Sequence, residues 1–331
     1  MQYVLLSNSD IQEKPPVKWL VHKVIKAEGL YCIYGASGSG KTFLTLDMLL
    51  SIATGRKWFG MKTMQVPVTY LCLESRNAIA MRIRAWEMNN QTCPSNFKQV
   101  HDDFDFKNKK DILELAEAIN NSNMNHGIVT IDTLNASIHG LDENSSRDMG
   151  VVLQNLKLLS KLTHCAVGVV HHSGKDSSQG MRGHSSLHGA FDNIIEVKSA
   201  SYSSWRLVKN KDEEGNISFN FKLTKIEIGE DTEGDAITSC FVEASTIPAT
   251  TYKIPAGKNQ LLVYEKLHFI LKAKLVDDFI ALTDAIDLGA IALEHLEPHR
   301  QKNQSKLIIE KLVQDGHLQI LEHEGIPVLM L

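Results

Sequence analysis

Apolar positions in the first two thirds of the chain form short continuous runs separated by segments of helical spacing. Leu30-Tyr31-Cys32-Ile33-Tyr34 is such a run and ends at a glycine, so it reads as a buried strand. Residues 41–54 then follow a helical period. Residues 68–73 (Val-Thr-Tyr-Leu-Cys-Leu) predict a second strand, followed by a polar helix over about 77–89. An amphipathic helix over 110–121 precedes a third strand at 127–132. A long helix over 147–162, with Val151, Val152, Leu156, Leu159 and Leu162 on one side, precedes a fourth strand at 165–170. Apolar strands alternating with helices predict a parallel sheet covered on both faces.

The pattern changes after about residue 191. Residues 194–197, 205–208, 219–223 and 240–242 read as consecutive strands, and the turn Asp212-Glu213-Glu214-Gly215-Asn216 suits a hairpin between two of them. The sheet is therefore expected to continue with antiparallel strands. Residues 244–257 are rich in breakers and read as a linker. Helical patterns then cover about 258–274, 278–288 and 298–315, and Leu318–Leu321 and Val328–Leu331 flank a Glu324-Gly325 turn. Three helices followed by a small hairpin is the order of a winged helix. The expected division is a polar lead-in at 1–28, an α/β domain at 29–243, the linker at 244–257 and a winged-helix-like domain at 258–331.

Composition narrows the class only modestly. With 43% hydrophobic and 22% charged residues, the chain is an ordinary globular one. Its 35 Lys and Arg against 39 Asp and Glu give a net charge of −4. Any nucleic-acid contact must then come from local basic loops rather than from the field of the whole molecule. The five cysteines (Cys32, Cys72, Cys93, Cys165, Cys240) are scattered, and three lie in apolar runs. That is reduced, intracellular usage. Met1-Gln2-Tyr3-Val4-Leu5 opens no signal-peptide pattern and no run reaches a membrane span, so a cytoplasmic location without membrane contact is expected.

Gly35-Ala36-Ser37-Gly38-Ser39-Gly40-Lys41-Thr42 fits G-x-x-x-x-G-K-[ST] at every fixed position, after a strand and before a helix. Backbone N–H groups of such a loop, with the helix N-terminus, hold phosphate oxygens. Lys41 is expected on the β- and γ-phosphates of ATP and the Thr42 hydroxyl on Mg²⁺. Asp132 closes the third strand, where a Mg²⁺-organising carboxylate belongs; a cap of the next turn is the alternative. Thr133 follows where many ring ATPases carry a Glu, so the water-orienting base must come from elsewhere. Glu74, at the end of the neighbouring strand, is the candidate, and its alternative is a helix N-terminal carboxylate.

This ordered set resembles the RecA/DnaB-like ATPases, and most closely the plasmid RepA-type hexameric replicative helicases and related phage and prophage ATPases. The resemblance covers about residues 17–242. It rests on the P-loop, Tyr-Leu-Cys-Leu-Glu (70–74), Ile-Val-Thr-Ile-Asp-Thr-Leu (128–134), Val-Val-His-His-Ser-Gly-Lys (169–175) and Met-Arg-Gly-His-Ser-Ser-Leu (181–187). It implies an α/β, RecA-like core with a mostly parallel central sheet. By position it makes His172, beside His171, the γ-phosphate sensor. It makes Lys209 and Lys211 the basic pair that reaches a neighbouring subunit's nucleotide, although related chains usually have an Arg there; a solvated hairpin end is the alternative. His184-x-x-x-His188 has ligand spacing, but no Cys or carboxylate completes a zinc set.

Two loops follow the third and fourth strands, at about 136–146 and 173–186. In the ring helicases this chain resembles, such loops grip single-stranded DNA. The second, with Lys175 and Arg182, is the stronger candidate, because Asp142 and Glu143 at the tip of the first argue against phosphate contact there. Residues 258–331 hold eight Lys and Arg against eleven Asp and Glu. Arg300, Lys302, Lys306 and Lys311 still make a basic stripe on the third helix, so DNA reading and protein interaction are equally open. The resemblance implies an ATP- and Mg²⁺-dependent translocase on single-stranded DNA, assembled as a hexameric ring, with a primase or replication-initiation protein as partner. An ATP-switched DNA-binding regulator or a recombination mediator with slow hydrolysis is the alternative.

Overall fold

The computed structural model describes residues 5, 7–12, 16–74, 76–174, 181–183, 185–199, 203–211, 217–248, 257–273, 279–315, 317–323 and 325–330. Two compact units are present, Met1–Ala249 and Thr250–Leu331. The first opens with α1 (Asn8–Gln12), β1 (Trp19–Val21) and β2 (Ile25–Lys26). The P-loop strand β3 (Gly29–Gly35) leads into α2 (Lys41–Thr54), β4 (Val68–Cys72), α3 (Arg76–Asn90) and β5 (Phe97–Val100). Then come α4 (Lys109–Asn121), β6 (Ile128–Asp132), α5 (Ser146–Thr163), β7 (Ala166–His172) and α6 (Ser185–Ala190). The unit closes with β8 (Asn193–Ser199), β9 (Ser203–Asn210), β10 (Ser218–Glu230) and β11 (Ala236–Pro248).

All strands from β3 to β11 join one sheet, in the order β11-β10-β9-β8-β3-β7-β6-β4-β5. Pairing is parallel from β8 to β5 and antiparallel from β8 to β11. This is the mostly parallel sheet with an antiparallel extension that the residue pattern predicts. Side chains of β3 alternate between two cores. Tyr31 and Ile33 meet Leu44, Met48 and Leu49 of α2, whereas Leu30, Cys32 and Tyr34 meet Leu156 and Leu159 of α5. Burial on both faces is why these strands are continuously apolar. Every parallel strand end that carries a candidate residue lies at the same carboxyl edge, with Gly35 opposite His172 and Cys72 opposite Asp132.

Three expectations need correction. The lead-in is not polar throughout, because β1 and β2 pair and Leu20, Val21, Val24 and Ile25 are buried in the α2 core. Two strands this short show no readable period. β5 was not expected; it is an edge strand, Phe-Lys-Gln-Val, with a partly exposed, polar middle. The 244–257 linker begins later, since β11 runs to Pro248 and pairs with a β10 that extends to Glu230. One face of that hairpin stays wet, so its period-2 alternation carries little apolar signal. The turn 212–216 lies outside the described residues.

The second unit contains α7 (Lys258–Ala273), β12 (Ile280–Ala281), α8 (Leu282–Ile291), α9 (Pro298–Gln314), β13 (Gln319–His323) and β14 (Ile326–Met330). Its core joins Val263, Leu267 and Leu271 to Ile308, Ile309, Leu312 and Leu329. Gly289 lets α8 approach α9 closely, and Ser305 Oγ donates to the Ile286 carbonyl at 2.8 Å. The helix expected at 278–288 starts at Leu282, because Ile280 and Ala281 pair with Leu329 and Val328 of β14. That pairing is non-local and has no sequence signature. No helix among the described residues is long and apolar enough to cross a membrane.

Candidate active site

The P-loop turns on glycines that its geometry requires. Gly40 caps α2 at φ 88°, and a side chain on Gly35 would meet the Val197 carbonyl at 2.2 Å. No side chain caps the N-terminus of α2, so its first N–H groups are open to a ligand. Ser39 Oγ is buried without a partner among the described residues. Lys41 Nζ donates to the Ala36 carbonyl at 2.8 Å, folded back over its own loop. Burial lowers the Lys41 pKa, opposed by the carboxylates of Asp132 and Glu74. An orphaned hydroxyl, open N–H groups and a desolvated ammonium fit a polyphosphate.

Asp132 is buried, and its Oδ2 accepts from the Tyr70 hydroxyl at 2.6 Å. Burial raises its pKa, while hydrogen bonds from Tyr70 and Thr42 and the charge of Lys41 oppose the rise. Thr42 and Asp132 thus share a hydrogen bond and present hard oxygen donors, which suit Mg²⁺. Glu74 is exposed and lies beside them, where the Thr133 hydroxyl donates to its Oε1 at 2.7 Å. His172 pairs with Gly35 across the β3–β7 ladder. Its pKa is lowered first by burial, then by Lys41. Lys41, Thr42, Glu74, Asp132 and His172 therefore meet at one sheet edge.

Lys209 and Lys211 do not join them. Lys209 Nζ donates to the carbonyls of His188 and Gly189, and Lys211 Nζ pairs with Asp192 at 2.7 Å. Asp192 bonds the Leu30 N–H at the start of β3, about 16 Å along the strand from Gly35. Lys211 there lines a cleft of about 530 Å³ with Gly29, Lys157 and His164. Of the loop residues, Lys175 lies outside the described residues, as does His184. Arg182 forms an ion pair with Glu143. Glu143 is buried, although its loop is rich in polar residues, and the Asp142 side chain accepts from the Asn144 N–H beside it. On α9, Lys302 and Lys311 of the basic stripe pair with Asp287 and Asp315.

Sequence reading missed Tyr70 and Thr133 as a donor. Arg82, which lies near the site in sequence, places its guanidinium 4.4 Å from the Phe43 ring centroid beside the P-loop. Tyr70 could have been found from strand register, since it stands two residues before the β4 partner of Asp132.

No curated protein sequence matches this chain. Two similar solved structures are the ATPase domain of G40P and a DnaB-like replicative helicase with its interactions with primase. The first matches at TM-score 0.46 and 12% identity, over 59% of this chain and 81% of that one. The second matches at TM-score 0.46 and 14% identity, over 59% of this chain, which spans only 55% of that one. The sequence model of the AAA domain AAA_25 matches residues 2–178, more than half of the chain, and takes in the P-loop, Glu74, Asp132 and His172. The P-loop strand lies inside a mostly parallel sheet, and the chain belongs to that AAA domain family.

Proposed function

We propose that this chain hydrolyses ATP with Mg²⁺ and couples turnover to movement along single-stranded DNA, as a hexameric ring in plasmid, phage or prophage replication. The observation that carries the reading is the meeting of Lys41, Thr42, Asp132, Glu74 and His172 at one sheet edge. In this reading the P-loop N–H groups and Lys41 hold the β- and γ-phosphates. Thr42 and Asp132 hold Mg²⁺, which when bound supplies charge to the transferring phosphoryl group. Glu74, fixed by Thr133, orients the attacking water, and His172 reads the presence of the γ-phosphate. Lys209 and Lys211 serve the nucleotide of a neighbouring copy, which agrees with their distance from the chain's own P-loop. The loop carrying Lys175 and Arg182 contacts DNA, and the second unit binds a primase or replication-initiation partner.

A second reading is an ATP-switched regulator with slow hydrolysis. It is favoured by the internal bonds that already engage both lysines. ATP turnover of the purified full chain, with and without single-stranded DNA, separates the two. DNA stimulation of wild type together with inactive Lys41→Ala supports the translocase; slow turnover indifferent to DNA supports the switch.

A further inference from the structure

The two loops beyond the nucleotide edge are tied together by one buried carboxylate. Glu143, on the loop after β6, is 7% exposed, yet it is a loop residue with no share in the ATP site. Its Oε1 forms an ion pair with Arg182 Nε, while its Oε2 is buried without a partner among the described residues. The backbones touch as well: a side chain on Gly183 would meet the Glu143 carbonyl at 2.9 Å. Arg182 is in turn fastened to the end of β7. Its N–H donates to the His172 carbonyl at 3.2 Å, and its carbonyl accepts from His171 Nε2 at 2.9 Å. His171 Nε2 also stands 4.0 Å from Glu143 Oε2.

We infer that Glu143 is a positioning residue that withholds Arg182 from DNA phosphate until the end of β7 moves, with His171 as its alternative partner. The inference rests on the translocase reading above. Leaving a buried carboxylate unpaired is costly, so Arg182 cannot simply swing away. The nearby imidazole N–H removes that obstacle, because a small shift of β7 moves its hydrogen bond from the Arg182 carbonyl to Glu143. Two discrete arrangements result, with the same groups paired differently. In one, Arg182 is neutralised inside the chain. In the other, the side chain, half-exposed even when paired, turns its guanidinium outward to a phosphate oxygen. Since β7 ends in His172, opposite Gly35, nucleotide occupancy selects between them.

The test is anisotropy of a fluorescent oligo(dT) bound by the full chain over a range of salt, with and without a non-hydrolysable ATP analogue. Wild type is expected to bind weakly without nucleotide and more tightly with it. Glu143→Gln should bind about tenfold more tightly without nucleotide, the size of one hydrogen bond to a charged group. Its slope of log affinity against log salt should steepen by about 0.7, the value of one added contact to a single strand. Arg182→Gln should lack this gain, and the double variant should match Arg182→Gln. Glu143→Asp, which keeps the charge but shortens the reach, gives the same comparison if Glu143→Gln melts early. Equal affinity of Glu143→Gln and wild type, where wild type binds, overturns the latch alone. A double variant as tight as Glu143→Gln does the same. Absence of oligo(dT) binding by every form in every nucleotide state overturns the translocase reading and the latch together.

Discussion

The Thr133 hydroxyl donates a 2.7 Å hydrogen bond to Glu74 Oε1, joining the residue after Asp132 to the carboxylate that follows β4. Many ring ATPases place a Glu directly at the Thr133 position. Here the carboxylate comes from the adjacent strand, and the threonine holds it. Glu74→Gln is expected to keep nucleotide affinity and lose roughly 10²–10⁴-fold in kcat, the usual yield of a positioned base. Thr133→Val should cost about tenfold in kcat with KM for ATP unchanged, since it frees the carboxylate without removing it. Steady-state ATP turnover reads both. Full activity of Glu74→Gln would reassign the base.

Tyr70 is buried behind Asp132 and donates to its Oδ2 at 2.6 Å. Burial and the Asp132 charge raise the Tyr70 pKa, so it remains a donor at any working pH. Tyr70→Phe removes a hydrogen bond to an ionised group while nearly conserving volume. The Asp132 pKa, already raised by burial, then rises further. The half-saturating Mg²⁺ concentration for ATP turnover should increase about tenfold. A Mg²⁺ titration of turnover checks this, and an unchanged midpoint would show that Asp132 does not meet the cation.

The P-loop, Asp132, Glu74 and His172 were legible because each is fixed by a short segment: a strand, its carboxyl end and the turn after it. Parallel strands share that edge whatever else the chain does. The Glu143–Arg182 pair was not legible, since it joins two loops whose conformations depend on non-local packing. A charged loop residue reads as solvated until its neighbours are known. β1, β2 and β5 were missed for a related reason. They gain stability from sheet and core partners rather than from a period of their own.

Gly168 marks a packing constraint at the centre of the sheet. The Tyr31 ring of β3 lies across it, and a side chain there would come within 2.0 Å of the ring. The Tyr31 hydroxyl meanwhile forms a hydrogen bond with that of Thr130 on β6. Gly168→Ala must push the ring aside and break that bond, at a cost of about 3 kcal/mol. Tm should fall by roughly 6–12 °C. Combining it with Tyr31→Val should cost less than the two single changes added together, because the clash is then absent. Strict additivity in thermal melts would show that the ring does not lie over Gly168.

His171 sets the acid limit of stability. It is fully buried, and burial lowers its pKa from 6.5 to about 4, helped by the charges of His172, Arg182 and Lys41 and opposed by the bond to the Arg182 carbonyl. The unfolded chain therefore binds a proton between pH 6.5 and 4 that the folded chain refuses. Stability from this residue is complete above pH 6.5 and is lost as pH falls toward 4, by about 3 kcal/mol in all. Asp47 acts in the opposite sense. Burial raises its pKa to about 7 against two indole donors, so its contribution is fully present below the ordinary carboxylate range and fades as pH rises through 7. The two slopes partly cancel in wild type, and a single melting curve conceals both. His171→Gln keeps a donor for the Arg182 carbonyl but does not titrate. Its stability relative to wild type, from denaturant unfolding at pH 7, 6, 5 and 4.5, should therefore improve steadily as pH falls. A difference between the two proteins that stays constant over that range would mean that folding leaves the His171 pKa unshifted, and one that worsens as pH falls from 7 would mean that Glu143 holds the imidazole protonated in the folded chain.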